Sequence, residues 1–100
     1  MFHEMRIYEA EPAKFNILLK RFQDTNSVLF KKYNFNPIGF WSEQVGTPHR
    51  IIYVLSWEDW DQREKAWEKF YADSAWSKSL EENGSTVTKI TSSVLKPLHF

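Results

Sequence analysis

The side chains best suited to chemistry are an arginine and a tyrosine two residues apart, Arg6 and Tyr8. Because strand side chains alternate between faces, the two share one face of a strand predicted over residues 2–9. A guanidinium beside phenol hydroxyls in an aromatic pocket suits a small anionic or phenolic ligand, with the arginine as its charge anchor. The candidate ligand-binding residues, expected between the sheet and the helices, are Arg6, Tyr8, Trp41, Tyr53 and Trp57.

A structural interpretation of Arg6 is also open. Its guanidinium could instead pair with Glu4, with Glu43 or with a carboxylate of a partner chain, and the residues alone do not decide between pairing and ligand binding. The assignment of faces depends on strand register, because a slip of one residue reverses it.

Residue content disfavours other kinds of site. His3, His49 and His99 are scattered, and none has the i, i+4 partner of a helical metal site, so no metal is predicted. Cysteine is absent, which excludes disulfides, thiolate catalysis and cysteine metal sites. The only glycines, at 39, 46 and 84, form neither a phosphate-binding loop nor a dinucleotide fingerprint. We therefore predict no cofactor, and the catalytic residues of any reaction stay unknown.

Length and charge narrow the possibilities further. One hundred residues make a single domain over residues 1–100. The 13 basic and 13 acidic residues cancel, which leaves no basic field to attract nucleic acid. The longest apolar run, Ile51–Leu55, is far shorter than the roughly 20 residues of a membrane span, and no apolar signal segment opens the chain. We expect a cytoplasmic protein that neither enters a membrane nor binds nucleic acid.

Hydrophobic periodicity predicts four strands and two helical regions in the order β-α-β-β-α-β. Asp59, with Gln62 three residues on, forms a helix-capping pair; Asp73 or Ser74 caps a further helical turn, which Gly84 ends. The predicted strands are Phe2–Glu9, Ile38–Val45, His49–Glu58 and Ser85–Pro97, and the predicted helices begin at Pro12 and at Asp59.

The first helical region contains an interruption. Its apolar stripe runs from Phe15 to Tyr33, but Asp24–Ser27 are four poor helix formers whose side chains compete for the backbone. A kink, or a second segment capped anew from Val28, is expected there. The basic residues of this region are predicted to form a solvated face; they are Lys14, Lys20, Arg21, Lys31 and Lys32.

The strand order is typical of the ferredoxin-like split βαβ fold, an α+β architecture with helices on one face of a four-stranded antiparallel sheet. In the third strand Ile51, Tyr53, Leu55 and Trp57 point one way, and Ile52 and Val54 the other. Two helices cover only one face, and each large apolar side chain left in water on the other forgoes roughly 1.5–3 kcal/mol. We therefore predict a homodimer that buries ~800 Å² per partner or more. Its interface candidates are Phe40, Ile52 and Val54.

Several segments together resemble the NIPSNAP family over nearly the whole chain. They are Met5-Arg6-Ile7-Tyr8, Gly39-Phe40-Trp41, Arg63-Glu64-Lys65-Ala66-Trp67, Ala72-Asp73-Ser74-Ala75-Trp76 and Leu95-Lys96-Pro97-Leu98. The resemblance implies a dimeric α+β barrel, in a superfamily that also holds cofactor-free monooxygenases, haem-binding chlorite dismutases and muconolactone isomerases. It implies no settled activity. Tyr53 departs from the family, which favours histidine at this position, and no histidine between residues 50 and 98 is present to serve as a haem ligand.

Three functions stay open. The first is a NIPSNAP-like homodimer that binds a small molecule in a cavity between sheet and helices. The second is a monooxygenase- or isomerase-like enzyme that uses Tyr8 or Tyr53 for proton transfer and Arg6 to hold an enolate or phenolate. The third is a protein-interaction module. A tyrosine with a lowered pKa would favour the enzyme, and an interior filled with side chains would favour the interaction module.

Overall fold

The computed structural model describes residues 1–100 as a four-stranded sheet in which all neighbouring strands are antiparallel. The strands lie in the spatial order β2-β3-β1-β4, and the order of elements along the chain is the predicted one. This is the ferredoxin-like arrangement of an α+β domain. The strands are β1 (Phe2–Glu9), β2 (Asn36–Ser42), β3 (Arg50–Trp57) and β4 (Lys89–Leu95).

Helices connect β1 to β2 and β3 to β4. A single 3₁₀ turn at Pro12–Lys14 precedes the first of them. No helix combines the length and the apolar composition that crossing a bilayer requires. The helices are α1 (Phe15–Arg21), α2 (Ser27–Lys32), α3 (Trp60–Ala72) and α4 (Ser74–Asn83).

The interruption predicted in the first helical region is a π-helical turn, Phe22–Asn26, that joins α1 to α2. The expected new cap is wrong: no side chain caps α2, and the backbone of Asn26 stays helical. The Ser27 hydroxyl donates instead to the Gln23 carbonyl (2.9 Å). A π turn holds one residue more than an α-helical turn, so it changes the direction in which neighbouring side chains point without ending the helix.

Side-chain caps fix the starts of α3 and α4, as predicted. The Asp59 carboxylate accepts from the Gln62 backbone N–H (2.8 Å), and the Gln62 amide oxygen accepts from the backbone N–H of Glu58 (2.7 Å). Asp73 accepts from Ala75 N–H (2.8 Å). Gly84, with φ of 63°, ends α4 in a backbone conformation that residues other than glycine rarely adopt. These contacts satisfy backbone donors that a helix leaves unpaired at its start.

Strands β1 and β3 have the predicted faces. Arg6 lies opposite Tyr53, and Tyr8 opposite Ile51, on the face that the helices cover. On the other face Met5 lies opposite Val54 and Ile7 opposite Ile52. The core is rich in aromatic rings; its buried aromatic members are Tyr8, Phe22, Phe30, Phe35, Tyr53, Trp57, Trp67 and Phe70.

Strand β2 corrects two of the predicted placements. A register irregularity between Pro37 and Gly39 sets the faces of the strand, so that Phe40 pairs with Tyr53 and Trp41 with Ile52. The ring of Phe40 packs on Phe30 (6.2 Å between centroids), on the helix-covered face, so Phe40 does not share the bare face with Ile52 and Val54. Trp41 lies on that bare face rather than beside Arg6, and it is 51% exposed.

Candidate functional site

A fully buried carboxylate, Glu4, lies at the middle of the sheet. Its Oε1 accepts from the indole N–H groups of Trp57 (3.0 Å) and Trp67 (3.1 Å) and from Arg63 Nε (3.1 Å). Its Oε2 accepts from Arg63 Nη2 (2.9 Å) and from the Ser92 hydroxyl (3.0 Å). Strands β1, β3 and β4 and helix α3 together supply these side chains. We call them the Glu4 cluster; its members are Glu4, Trp57, Ser92, Arg63 and Trp67.

The donors decide the charge of Glu4. Burial alone would raise the pKa of its carboxyl, but the hydrogen bonds from Arg63, Trp67 and Trp57 together lower it to about 2. Glu4 is therefore ionised at neutral pH, and its charge is matched chiefly by the two-pronged contact with Arg63.

Two residues further along β1, the Arg6 guanidinium is surrounded by phenol hydroxyls. Its Nε donates to the hydroxyl of Tyr53 (3.0 Å), and its Nη2 donates to those of Tyr8 (3.0 Å) and Tyr71 (3.4 Å). The Tyr53 hydroxyl donates in turn to Tyr8 (3.2 Å), and the guanidinium lies 4.4 Å from the ring centre of Trp67. We call Arg6, Tyr8, Tyr53 and Tyr71 the arginine–tyrosine cluster.

The pairing interpretation of Arg6 finds a counterpart in these contacts. Arg6 Nη1 reaches Glu4 Oε2 at 3.4 Å, a longer contact than Glu4 makes with Arg63. Glu43 is not a partner, because it pairs with Arg50 in the β2–β3 connection. Arg6 therefore shares a carboxylate that another arginine already binds, and its closest acceptors are uncharged.

The ionisation of the cluster follows from its burial. Burial would lower the pKa of the Arg6 guanidinium, but the oxygens of Tyr53 and Tyr8 raise it above its ordinary value. Burial raises the pKa of Tyr53 well above its ordinary value; Tyr8 adds to the shift and Arg6 opposes it. Burial likewise raises the pKa of Tyr71. At neutral pH the cluster is a cation held by neutral phenols.

Two buried polar side chains of the helical layer lack full hydrogen bonding. Asn26, in the π turn, is 0% exposed, and neither its amide nitrogen nor its amide oxygen has a partner. It lies four residues from Phe22 and from Phe30, whose rings both pack on Tyr53. Buried polar atoms without partners are rare because each costs about 1–3 kcal/mol.

Arg21 is the second of these side chains, and its position corrects a prediction. Expected on a solvated face, it is only 4% exposed. Its Nη1 donates to the Thr86 hydroxyl (2.8 Å), its Nε is buried without a partner, and its guanidinium lies 5.3 Å from the ring centre of Trp76. Burial lowers the pKa of Arg21, and no carboxylate offsets it.

Three cavities open on the surface, and none is lined by Arg6, Tyr8, Tyr53 or Trp57. An apolar cavity of about 310 Å³ lies at the edge of β2, beside Phe40 and Trp41. A second, of about 480 Å³, lies between α1 and α4. The third, a groove of about 490 Å³ between α4 and β4, is lined by Arg21, Trp76 and Ile90 among others. We call this third cavity the α4–β4 groove.

The structure thus brings together three of the five predicted ligand-binding residues, Arg6, Tyr8 and Tyr53. Trp57 is adjacent but holds Glu4, and Trp41 lies at another cavity. Sequence reasoning missed Tyr71, Arg63, Arg21 and Asn26 as members of the polar interior. Of these, only Asn26 had a signal, since it belongs to the segment predicted to interrupt the helix.

The same interior offers no ready metal site. No group of three or more histidine, aspartate or glutamate side chains is close enough to hold a metal ion. The donors that do converge, guanidinium and phenol groups, recognise anions rather than cations.

Solved structures of other proteins share this architecture. A NIPSNAP domain protein from Burkholderia xenovorans is 25% identical, with a TM-score of 0.86 over 100% of this chain and 97% of that one. A NIPSNAP family protein from Agrobacterium tumefaciens is 20% identical, with a TM-score of 0.88 over 99% of this chain and 94% of that one. An antibiotic biosynthesis monooxygenase, at 11% identity, shares the fold, with a TM-score of 0.66 over 99% of this chain and 100% of that one.

In sequence, no curated protein matches the chain. The family comparison does give a match: the NIPSNAP pattern covers residues 3–100. This match spans every strand and helix described above, including the strand that supplies Glu4, Arg6 and Tyr8. The chain therefore belongs to the NIPSNAP family.

Proposed function

We propose that this protein binds a small anionic or phenolic ligand at the arginine–tyrosine cluster. The proposal rests on the balance of buried charges. One carboxylate, Glu4, is shared by two arginines, Arg63 and Arg6, and its contact with Arg63 is the shorter one. Arg6 is left with neutral phenols as its closest acceptors. A buried cation without a matching charge is costly, and an anion that reaches it recovers that cost.

Tyr71 is the member of the cluster that a ligand can displace. Its hydroxyl is the most distant of the three phenol acceptors, at 3.4 Å from Arg6, whereas Tyr8 and Tyr53 accept at 3.0 Å. Its side chain is 44% exposed, whereas Tyr8 and Tyr53 are buried. A phenolate or carboxylate oxygen in place of the Tyr71 hydroxyl would give Arg6 a charged acceptor, and charge-assisted hydrogen bonds are the stronger kind.

Binding is favoured over catalysis by the ionisation of the tyrosines. A phenol that serves as a general base has to lose its proton near neutral pH, but burial raises the pKa of Tyr53 and of Tyr71. Both phenols therefore act as hydrogen-bonding groups. The fold shared with the antibiotic biosynthesis monooxygenase, at 11% identity, does not assign a reaction to this chain.

The proposal is tested by titrating the protein with salicylate, which carries both a carboxylate and a phenol, in a calorimeter. Arg6→Met should weaken binding at least about tenfold, because a charged hydrogen-bond partner is lost. Arg50→Met, which removes an arginine paired with Glu43 elsewhere, is the matched control and should bind as the wild type does. Circular dichroism checks that each variant is folded. Equal affinity in Arg6→Met and wild type, or no binding by wild type, refutes the proposal.

A homodimer through the bare face of the sheet is the second part of the proposal. Met5, Ile7, Ile52 and Val54 form adjoining cross-strand pairs on the face that no helix covers. Each large apolar side chain moved out of water contributes roughly 1.5–3 kcal/mol, so a second copy is the simplest cover. The half-exposed Trp41, opposite Ile52, extends the same surface.

Light scattering in dilute solution tests the dimer. Wild type should have twice the mass of one chain, and Val54→Lys should be monomeric because it places a charge in the middle of the interface. Lys69→Glu, at an exposed position of α3 on the other side of the sheet, is the matched control and should keep the mass of wild type. A wild type with the mass of a single chain contradicts the proposal.

A protein-interaction module is the second candidate function. It is favoured by the lack of a cavity lined by Arg6, Tyr8 or Tyr53, and by the edge of β2, where the exposed Phe40 and Trp41 line an apolar cavity of about 310 Å³. Trp41→Ala separates the two candidates: a module loses its partner, whereas ligand binding at Arg6 is unchanged.

A further inference from the structure

We infer that Arg21 anchors the carboxylate of an organic acid whose apolar body lies in the α4–β4 groove. The inference rests on the proposed ligand function and adds Arg21 to Arg6 as a second arginine that holds an anionic group. Arg21 was expected in solvent, yet it is buried and its guanidinium lies over the ring of Trp76.

The free part of the guanidinium has the shape of a carboxylate site. Nη1 is occupied by the Thr86 hydroxyl at 2.8 Å, whereas Nε is buried without a partner and Nη2 makes no hydrogen bond. The Nε and Nη2 hydrogens of an arginine point the same way, and this edge pairs with the two oxygens of a carboxylate. Thr86, itself 1% exposed, fixes the orientation of that edge by holding the opposite nitrogen.

The charge of the groove supports an anion. Of the two cavities that Arg21 lines, the cavity between α1 and α4 includes Asp24 and Glu82, whereas the α4–β4 groove has no aspartate or glutamate among its lining residues. No carboxylate forms an ion pair with Arg21 anywhere in the chain, unlike Arg63 or Arg50. A buried arginine without a partner lowers the stability of the free protein, and a bound carboxylate would remove that cost.

The walls of the groove indicate what is attached to the carboxylate. Trp76, Leu80 and Ile90 supply apolar surface, and the volume of about 490 Å³ is within the range of small-molecule sites. Trp76 packs against Tyr71 (5.5 Å between ring centres), the displaceable member of the arginine–tyrosine cluster.

Hexanoate is the probe, titrated by calorimetry or by the change in tryptophan fluorescence, with hexanol as its neutral counterpart. Wild type should bind hexanoate more tightly than hexanol. Arg21→Met should weaken hexanoate binding roughly 10- to 100-fold and leave hexanol unchanged, because only the charged contact is removed. Arg21→Lys, which keeps the charge but loses the paired edge, should fall between the two. Lys20→Met, the adjacent basic residue, is the control and should match wild type.

The outcomes separate this inference from the proposed function. Unchanged hexanoate affinity in Arg21→Met overturns the role of Arg21, and if Arg6→Met still loses salicylate the proposed function stands. Loss in Arg21→Met for both probes, with Arg6→Met unaffected, supports the carboxylate anchor and refutes the arginine–tyrosine cluster as the site. Absence of hexanoate binding by the wild type overturns the role of Arg21, and absence of salicylate binding by the wild type overturns the proposed function. A folded Arg21→Lys keeps the test decisive should Arg21→Met fail to fold.

Discussion

Glu4 and Arg21 are both buried and charged, but they differ in how completely hydrogen bonds and opposite charges satisfy them. Glu4 receives five hydrogen bonds of 3.1 Å or less, two of them from an arginine. Arg21 donates one hydrogen bond, to the Thr86 hydroxyl, and pairs with no opposite charge. A carboxylate so fully satisfied is part of what holds the fold together. A guanidinium left incomplete adds little to stability, and this contrast is the reason that we infer a ligand-binding role for Arg21.

The largest expected effect is that of Glu4→Gln. The change leaves Arg63 and Arg6 without a counter-charge and turns an amide N–H donor towards other donors, so we expect a loss of about 3–5 kcal/mol in the free energy of unfolding. Urea denaturation measures it. Glu43→Gln removes a carboxylate from a partly exposed pair with Arg50 and should cost much less. Comparable losses in the two variants would mean that the buried Glu4 contributes no more to stability than the partly exposed Glu43.

The pH dependence of stability sharpens the same point. The pKa of Glu4 falls from an ordinary 4.5 to about 2 on folding, and at 1.36 kcal/mol per unit this contributes about 3 kcal/mol. Because the folded pKa is the lower one, the contribution is complete above pH 4.5 and is lost as the pH falls towards 2. Lys32 and Tyr33 also lower the pKa of Asp73 to about 2, so Asp73→Asn and Glu4→Gln are compared. Glu4→Gln should remove the larger part of the acid sensitivity.

A pair of tyrosine variants probes the arginine–tyrosine cluster. Tyr53→Phe removes a fully buried acceptor of Arg6 and should cost about 1–2 kcal/mol, since the guanidinium loses a close partner. Tyr71→Phe removes the 3.4 Å contact of a half-exposed ring and should cost less than about 0.5 kcal/mol. Thermal or urea unfolding of both variants provides the comparison. Equal costs would show that Tyr71 is as firmly held as Tyr53 and cannot be displaced by a ligand.

The smallest effect belongs to Arg21→Met. Removing a buried charge that has no counter-charge offsets the loss of the hydrogen bond to Thr86, so the free energy of unfolding should change by less than about 1 kcal/mol. Arg63→Met, which strands Glu4, is the matched arginine variant and should be several times more destabilising. If Arg21→Met lost as much stability as Arg63→Met, Arg21 would be a structural residue and the contrast with Glu4 would fail.

The sequence predicted those features that follow from a local period. Alternation in β1 and β3 placed Arg6, Tyr8 and Tyr53 on one face, and the register of β1 against β3 agrees with this placement. The capping residues Asp59 and Asp73 were likewise local signals. Whether these residues bind a ligand stays a prediction.

Other features depend on contacts between segments that are far apart in the sequence. Local patterns could not predict these features. The faces of Phe40 and Trp41 are set by the register of β2 against β3 and by its irregularity at Pro37. Tyr71 reaches Arg6 only because α3 crosses the sheet at that point. Arg21 followed the charge pattern of a solvated helix, and nothing local showed that α4 and Thr86 would enclose it.

The π turn between α1 and α2 has a consequence for how the helical layer tolerates change. An α-helix turns by about 100° per residue, so deleting one residue from Gln23–Asn26 would rotate α1 by that angle relative to α2. Such a rotation would carry Leu18 and Arg21 away from the sheet while Leu29 and Phe30 stayed in place. The length of this short segment, more than the identity of its residues, thus decides which side chains of the first helix the protein interior receives.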